Sequence, residues 1–272
     1  MIVFPGCKIN MGLRVVRKRE DGYHDLDTIF YPIDWQDALE FIEAESFQFT
    51  SSGLLVAGES TQNLVVRAYE LLKKDFHHIP TLHIHLHKVI PMGAGLGGGS
   101  SDAAHMLTLL NETYHLQISE PQLIAYALQL GSDCPFFIRN RVCRAQGRGE
   151  IFTPVSLDLS DYQWVLIYPG IVIPTPLAFQ GVNPKQPEVP LNEVIQQPIE
   201  CWKETLVNDF EPGIFHQFPV LGEIKQWLYQ QGALYAAMSG SGSTLFGIFP
   251  KGTAPAKETC LAQYPNSLIY IQ

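Results

Sequence analysis

Residues 91–104 read PMGAGLGGGSSDAA. Between Gly93 and Gly99, five of seven positions are glycine: Gly93, Gly95, Gly97, Gly98 and Gly99. Such a run exposes backbone N–H groups and admits positive φ angles. Ser100 and Ser101 lead into a predicted helix from Asp102 to about Tyr114, with Ala103, Met106, Leu107 and Leu110 at helical spacing. A helix N-terminus carries partial positive charge, so loop and helix start together make a cradle for phosphate. A turn that merely lets a strand and a helix pack is the plainer reading. The helix start directly behind the glycines favours phosphate. Asp102 pulls the other way, because a carboxylate repels a polyphosphate. It is expected to serve the helix dipole, or else the metal that accompanies a nucleotide.

The flanks narrow the kind of cradle. No G-x-x-x-x-G-K-[ST] occurs, which excludes the P-loop. Gly93 to Gly98 does satisfy G-x-G-x-x-G, but a dinucleotide site needs a strand after the helix, ending in an acid for the ribose. A second helix follows here instead. Ser119 and Gln122 fit a capping box, Leu123, Tyr126, Ala127 and Leu130 repeat the stripe, and Gly131 is the expected C-terminal cap. No H-R-D or D-F-G appears, which excludes a protein kinase.

The remainder of the 272 residues reads as a folded chain of one large or two modest domains. Hydrophobic residues make up 46% and charged residues 17%, outside the disordered and collagen-like ranges. No apolar run approaches the roughly 18–20 residues of a membrane span, so no membrane is expected. The start, MIVFPGCKIN, carries no signal-peptide pattern. A net charge of −9 disfavours nucleic acid as a partner. Five widely spaced cysteines without C-x-x-C suit reduced thiols in a cytoplasm, with neither zinc site nor disulfide frame.

Along the chain, Ile9, Met11, Leu13 and Val15 alternate with Lys8, Asn10, Gly12 and Arg14, predicting a strand that projects Lys8 and Asn10 from one face. Asp21-Gly22 predicts a turn before a second strand, Leu26 to Ile33. Asn63 to Lys74 reads as a helix, Thr81 to Ile90 as a strand and Gln163 to Tyr168 as a buried strand. Gly181 to Pro198 is the candidate long loop. Helices are predicted at 200–208 and 220–231, then a strand–glycine turn–strand unit from Ala233 to Phe249. The mixture lacks regular βαβ alternation, so the class is α+β. The expected domains are 1–150 and 151–272.

Several motifs then fall into a known order. They are Lys8-Ile9-Asn10, RKREDGYHDLDTIF from Arg17, QNLVVRA from Gln62, the glycine loop, LGSDCPFF from Leu130, GRGE from Gly147, PGIVIPTPLAF from Pro169 and MSGSGST from Met238. Together the pattern resembles the GHMP kinases over nearly the whole chain, and Asp-Gly-Tyr-His with Ile-Pro-Thr-Pro points to its diphosphocytidyl branch. The resemblance implies a two-domain fold: an N-terminal domain like ribosomal protein S5 domain 2 and a ferredoxin-like C-terminal domain. It implies ATP as cosubstrate with Mg²⁺, and a cytidine diphosphate-linked polyol as small-molecule substrate. The reaction would phosphorylate the 2-hydroxyl of 4-diphosphocytidyl-2-C-methyl-D-erythritol, in non-mevalonate isoprenoid precursor biosynthesis. The chain would act as a monomer or homodimer.

The resemblance also carries residue roles. Lys8 and Asp133 become the catalytic pair. A carboxylate within reach of the acceptor hydroxyl orients it and takes its proton, while Lys8 offsets charge on the transferred phosphoryl. The plain alternatives are a turn aspartate and a surface lysine. Pro91, Met92, Gly93, Ala94, Gly95, Leu96, Gly97, Gly98, Gly99, Ser100 and Ser101 become the ATP loop, with Asn63, Leu64 and Lys88 near adenine. Asn63 would equally serve as a helix cap. Tyr23 and His24 would hold the cytosine and Phe179 stack on it, with Asn10 and Thr175 on the methylerythritol side; core packing is the alternative for Tyr23 and Phe179. The metal ligands stay unknown. His83, His85 and His87 alternate on one strand face, which a solvated surface explains better than a transition metal. Cys7 and Cys134 each adjoin a proposed catalytic residue and raise the question of thiol reactivity. The competing functions are another GHMP kinase acting on a small alcohol, a GHMP-fold sensor that binds without turnover, and a Rossmann oxidoreductase.

Overall fold

The computed structural model describes residues 1–56 and 58–272. In chain order the strands are β1 (Ile2–Val3), β2 (Cys7–Lys18), β3 (His24–Ile33), β4 (Ala38–Glu43), β5 (Gln48–Gly53), β6 (Leu82–Lys88), β7 (Cys143–Gly147), β8 (Ile151–Pro154), β9 (Tyr162–Tyr168), β10 (Tyr235–Met238), β11 (Leu245–Pro250) and β12 (Leu268–Ile271). The α-helices are α1 (Leu64–Asp75), α2 (Gly98–Thr113), α3 (Glu120–Leu130), α4 (Cys134–Arg139), α5 (Thr175–Phe179), α6 (Leu191–Val194), α7 (Trp202–Thr205), α8 (Glu211–Gln217), α9 (Pro219–Gln230) and α10 (Lys257–Gln263). Among the described residues no helix is long and apolar enough to cross a membrane. Two compact units form: Met1–Lys8, Pro32–Met92 and Gly97–Arg141 in the first, and Ile9–Tyr31, Gly93–Leu96 and Val142–Gln272 in the second.

The first unit has a sheet of order β1-β4-β6-β5, in which β4 pairs antiparallel and β5 parallel with β6. Leu82, Ile84 and Leu86 alternate with His83, His85 and His87, so β6 turns one apolar row inward. That row meets Val65, Ala68 and Leu72 of α1, Met106, Leu107 and Leu110 of α2, and Leu123 and Ala127 of α3 in one core. Each fully buried leucine contributes about 1.5–3 kcal/mol. The histidines line the other face, and hydroxyls serve them: Thr50 Oγ1 lies 2.7 Å from His85 Nδ1, and Ser52 Oγ 2.8 Å from His87 Nδ1. Among the described residues no three His, Cys, Asp or Glu side chains are placed to hold a metal ion.

The second unit has two sheets, β10-β11-β9-β12 and β2-β3-β7-β8. Trp164 to Tyr168 of β9 are buried throughout, which fits the unbroken apolar run WVLIY between two antiparallel neighbours. Val165, Ile167, Met238 and Leu245 pack with Ile224 and Leu228 of α9 in a second core. The β2–β3 hairpin closes where Arg19 N donates to Tyr23 O at 2.8 Å. The 181–198 stretch is strapped to β2: Lys185 N donates to Val15 O, and the Arg14 guanidinium to Val189 O. Its α6 buries Leu191 and Val194.

Two expectations need correction. Helix α2 opens at Gly98, four residues before Asp102. Its N-cap, Gly97, is left-handed at φ +68°, and first-turn N–H groups need no intrahelical partner, so glycine is tolerated there. The 200–208 helix is shorter, running as α7 from Trp202 to Thr205, and a further helix, α8, follows it.

Candidate active site

In the first unit, Lys8 is the second residue of β2, and its Nζ lies 3.4 Å from Asp133 Oδ2. The lysine side chain is 5% exposed and the carboxylate 31%, so one partner is fixed and the other reaches solvent. Asp133 stands at the N-cap of α4, yet its side chain makes no capping hydrogen bond. The carboxylate is therefore not spent on its own helix. α3 sets the approach: Ser119 N donates to Gln122 Oε1 at 2.9 Å to cap its start, and Gly131 ends it two residues before Asp133. A Cβ on Gly97 would sit 3.2 Å from Lys8 Cε and 3.1 Å from the Phe137 ring, so the loop backbone closes on the lysine stem.

The glycine loop is divided between the units. Gly97 to Ser101 belong to the first, where Gly98, Gly99, Ser100 and Ser101 form the opening turn of α2. Ser101 N already donates to Gly97 O at 2.9 Å, so the first-turn N–H groups ahead of it, with the helix dipole, make an anion-binding terminus. Gly93 to Leu96 belong to the second unit. There Gly95 O accepts from Ser239 Oγ at 2.8 Å, and Ala94 O accepts from Thr244 N at 3.2 Å. The SGSGST turn between β10 and β11 thus holds this part of the loop. Pro91 and Met92 stay with the first unit. Asn63 caps α1, its Oδ1 accepting from Val65 N at 2.9 Å, and Leu64 packs on the first core. Lys88 is buried, its ammonium bonded to Asp37 and Asp102.

The second unit gathers the residues predicted for the acceptor. Asn10 N donates to Ser239 Oγ, and Asn10 Nδ2 donates to Thr28 Oγ1, both at 3.1 Å. His24 and Phe179 are stacked, ring centroids 4.5 Å apart and planes 15° apart. Tyr23 is instead half exposed and covered by Arg148, whose guanidinium carbon lies 3.9 Å from the ring centroid. Thr175 is exposed at the start of α5, the helix that carries Phe179.

Some positioning residues escaped the sequence reading. Asn208 is buried, donates from Nδ2 to Met238 O at 2.7 Å and to Gly240 O at 2.9 Å, and so fixes the SGSGST turn. Arg148 lies within the GRGE motif, but nothing in the sequence pairs it with Tyr23. Asp37 belongs to no motif at all. The thiol question resolves against reactivity. Burial pushes the Cys7 thiol far up and that of Cys134 up to about 11. Thiols held protonated are poor nucleophiles. Iodoacetamide on the native protein is expected to label Cys201, the exposed thiol, and to spare the other four, which mass mapping of peptides reads directly. Labelling of Cys7 or Cys134 ahead of Cys201 would contradict this.

Comparison with known proteins identifies the family. The family model for the GHMP kinases N terminal domain matches residues 63–141, and that for the GHMP kinases C terminal domain matches residues 193–266. A protein of Bacteroides thetaiotaomicron named 4-diphosphocytidyl-2-C-methyl-D-erythritol kinase is 52% identical over 260 residues, 94% of each chain. A protein of the same name from Parabacteroides distasonis is 51% identical over 253 residues, 93% of each chain. A crystal structure of 4-(cytidine 5'-diphospho)-2C-methyl-D-erythritol kinase superposes with a TM-score of 0.85 at 32% identity, covering 100% of this chain and 98% of the other. A homoserine kinase from Cytophaga hutchinsonii has a TM-score of 0.70 at 14% identity over 98% of this chain and 94% of its own, and shares the fold. The chain has the two-domain GHMP kinase fold and belongs to the GHMP kinase family, within the branch of the 4-diphosphocytidyl-2-C-methyl-D-erythritol kinases.

Proposed function

We propose that this chain is an ATP-dependent kinase of the 2-hydroxyl of 4-diphosphocytidyl-2-C-methyl-D-erythritol, releasing the 2-phosphate and ADP in isoprenoid precursor biosynthesis. The observation that carries it is the similarity of 52% over 94% of both chains to a protein named for that activity, in a chain that keeps the Lys8–Asp133 pair. In this reading the acceptor hydroxyl donates its hydrogen bond to the Asp133 carboxylate, which fixes its direction and receives the proton. The Lys8 ammonium opposes charge spreading over the transferred phosphoryl. Phosphoryl transfer rests chiefly on such positioning and electrostatics. The N–H groups of the glycine loop from Pro91 to Ser101 take the phosphate chain, with Asn63, Leu64 and Lys88 at the adenine end.

Phe179 supplies the stacking surface for cytosine. The His24 ring that covers it gives way to the base and turns its nitrogens to the base edge. Tyr23 supplies the second aromatic face, and Asn10 and Thr175 the polyol contacts. Mg²⁺ accompanies the nucleotide. Such an ion takes most of its oxygens from phosphate and water, so one or two protein oxygens suffice. The five free cysteines suit the reducing cytoplasm, where the chain acts as a monomer or homodimer, with the domain boundary near residue 150 between the two family-model matches.

The test is ADP release with Mg·ATP against 4-diphosphocytidyl-methylerythritol, mevalonate, homoserine and galactose. Turnover is expected with the cytidyl substrate alone. Turnover with another alcohol would keep the fold and discard the substrate, and ATP binding without turnover on any acceptor would make the protein a sensor.

A further inference from the structure

A buried charge cluster lies under the glycine loop in the first unit, and phosphoryl transfer as described uses neither of its carboxylates. Lys88 Nζ donates to the Asp37 carboxylate and, at 2.8 Å, to Asp102 Oδ2. All three side chains are at most 2% exposed. Asp37 Oδ1 also accepts from Val89 N at 2.5 Å and Ile90 N at 2.8 Å, the two residues that lead into Pro91. Asp102 is the fifth residue of α2, and a Cβ on Gly98, its first, would lie 3.4 Å from Lys88 Nζ. The cluster therefore ties the end of β6, the entry of the loop and the opening turns of α2 together.

Its charges do not balance. Two carboxylates and one ammonium leave one net negative charge, buried beneath the N–H groups that would receive phosphate. Asp102 Oδ1 is buried and has no hydrogen-bond partner. An ionised oxygen in that position carries its full desolvation cost, and a phosphate chain nearby adds repulsion. One proton on Oδ1 removes the charge, and with it the repulsion and the larger part of the desolvation cost.

We propose that Asp37, Lys88 and Asp102 form a positioning device with one exchangeable proton, held on Asp102 whenever a nucleotide's phosphate chain occupies the glycine loop. The device rests on the nucleotide reading above. Burial pushes the Asp102 carboxyl up to about 7, with Asp37 adding to the shift and Lys88 opposing it. The proton, taken from solvent, is therefore partly lost from the free enzyme near neutrality. Phosphate anions favour the protonated form, so nucleotide binding draws a proton in. By linkage, affinity is full below the free-enzyme pKa and falls as pH rises through it.

Other titratable groups surround the cluster without replacing Asp102 in this role. Cys7 and Lys8 of β2 and Asp34 after β3 share its field. On α2, burial lowers the pKa of His105, whose ring bonds Ser101 O. From α4 comes Cys134, bonded by Ser100 and influenced by Asp133 and by Arg67 of α1. The buried residues of α3 are Leu123, Ala127 and Leu130, none of which titrates.

Calorimetry of Mg·ATP binding without acceptor, in buffers of different ionisation heat, reads the proton directly. Subtracting an Asp102→Asn variant removes the nucleotide's own protons. Near pH 7.5 the unsubstituted enzyme is expected to take up about three-quarters of a proton more than the variant. Its Kd for Mg·ATP is expected to rise roughly ten- to thirtyfold between about pH 6.5 and 8.5, while the variant's stays flat. Equal uptake with nucleotide bound by both proteins would overturn the device and leave the kinase reading standing. No nucleotide binding by the unsubstituted enzyme would overturn both. Carbon-13 spectra of aspartate-labelled, unsubstituted enzyme decide the matter independently of the variant's folding. A carboxyl resonance that titrates near neutrality and moves to its protonated position with Mg·ATP supports the device, and its absence overturns it.

Discussion

Asp133→Ala is expected to lower kcat by roughly 10³-fold, within the 10²–10⁴ that a positioned proton acceptor contributes, and to leave both KM values within about twofold. The structure separates this from a folding defect. Asp133 is 31% exposed and makes no capping bond, so α4 loses nothing it was using. The partner left behind is Lys8, 5% exposed, and the cost of losing this ion pair falls on stability. Thermal unfolding reads that cost apart from the rate. Asp133→Asn divides the two duties of the carboxylate, because an amide oxygen still accepts the acceptor's hydrogen bond but does not take its proton. A loss of only about tenfold for Asn assigns the larger share to orientation, and a loss equal to that of Ala assigns it to proton transfer. Lys8→Met is expected to cost about 10²–10³-fold, as for other donors aimed at developing charge, and the double substitution to cost less than the product of the singles. Turnover by Asp133→Ala at the unsubstituted rate would remove the pair from the chemistry.

What could be read from the sequence follows how local each device is. The capping box of Ser119 and Gln122 spans three residues and was legible, as was the strand–turn–strand around SGSGST. The alternation that places Lys8 and Asn10 on one face of β2 was also legible. The burial of that strand on both faces was not, since Asn10 meets Ser239 across 229 positions. Helix α8 contains Pro212 and Gly213, which argue against a helix. It persists because Asn208 Oδ1 accepts from Phe210 N at its start and Glu211 reaches Lys225 and Met238 N, all contacts made by the tertiary fold. The polar strand β5, QFTSSG, has no alternating apolar row and exists by parallel pairing with β6. At the candidate site the motifs marked the groups proposed to meet phosphate and hydroxyl. The groups that hold those motifs in place, Asp37, Asn208 and Arg148, act through long-range contacts to backbone, side chain or ring and leave no spacing in the sequence.

Gly95→Ala is expected to be the most damaging single methyl in the glycine loop. Gly95 has φ +80°, where a side chain costs about 1–2 kcal/mol. A Cβ there would also meet Ser239 O at 2.0 Å and Gly242 O at 3.3 Å. Both obstacles are backbone, and Ser239 is pinned on three sides: its N donates to Thr244 O, its O accepts from Gly242 N, and its Oγ bridges Asn10 N to Gly95 O. The clash cannot be relieved by a rotamer change, so the SGSGST turn and the Gly93–Leu96 segment must move apart. With strain and overpacking each of order 1–3 kcal/mol, the total is about 3 kcal/mol. That corresponds to a fall in Tm of roughly 6–12 °C for a chain of this size. Gly99→Ala provides the contrast within the same loop, since a Cβ there meets no atom within 4 Å and the residue lies inside α2. Its Tm is expected to hold or to rise by about 1–3 °C, because alanine loses less entropy than glycine in a helix. Calorimetric unfolding of the two variants checks both values. Equal Tm for the two would mean that the glycines serve chain freedom in general, and not the close approach of two backbones at Gly95.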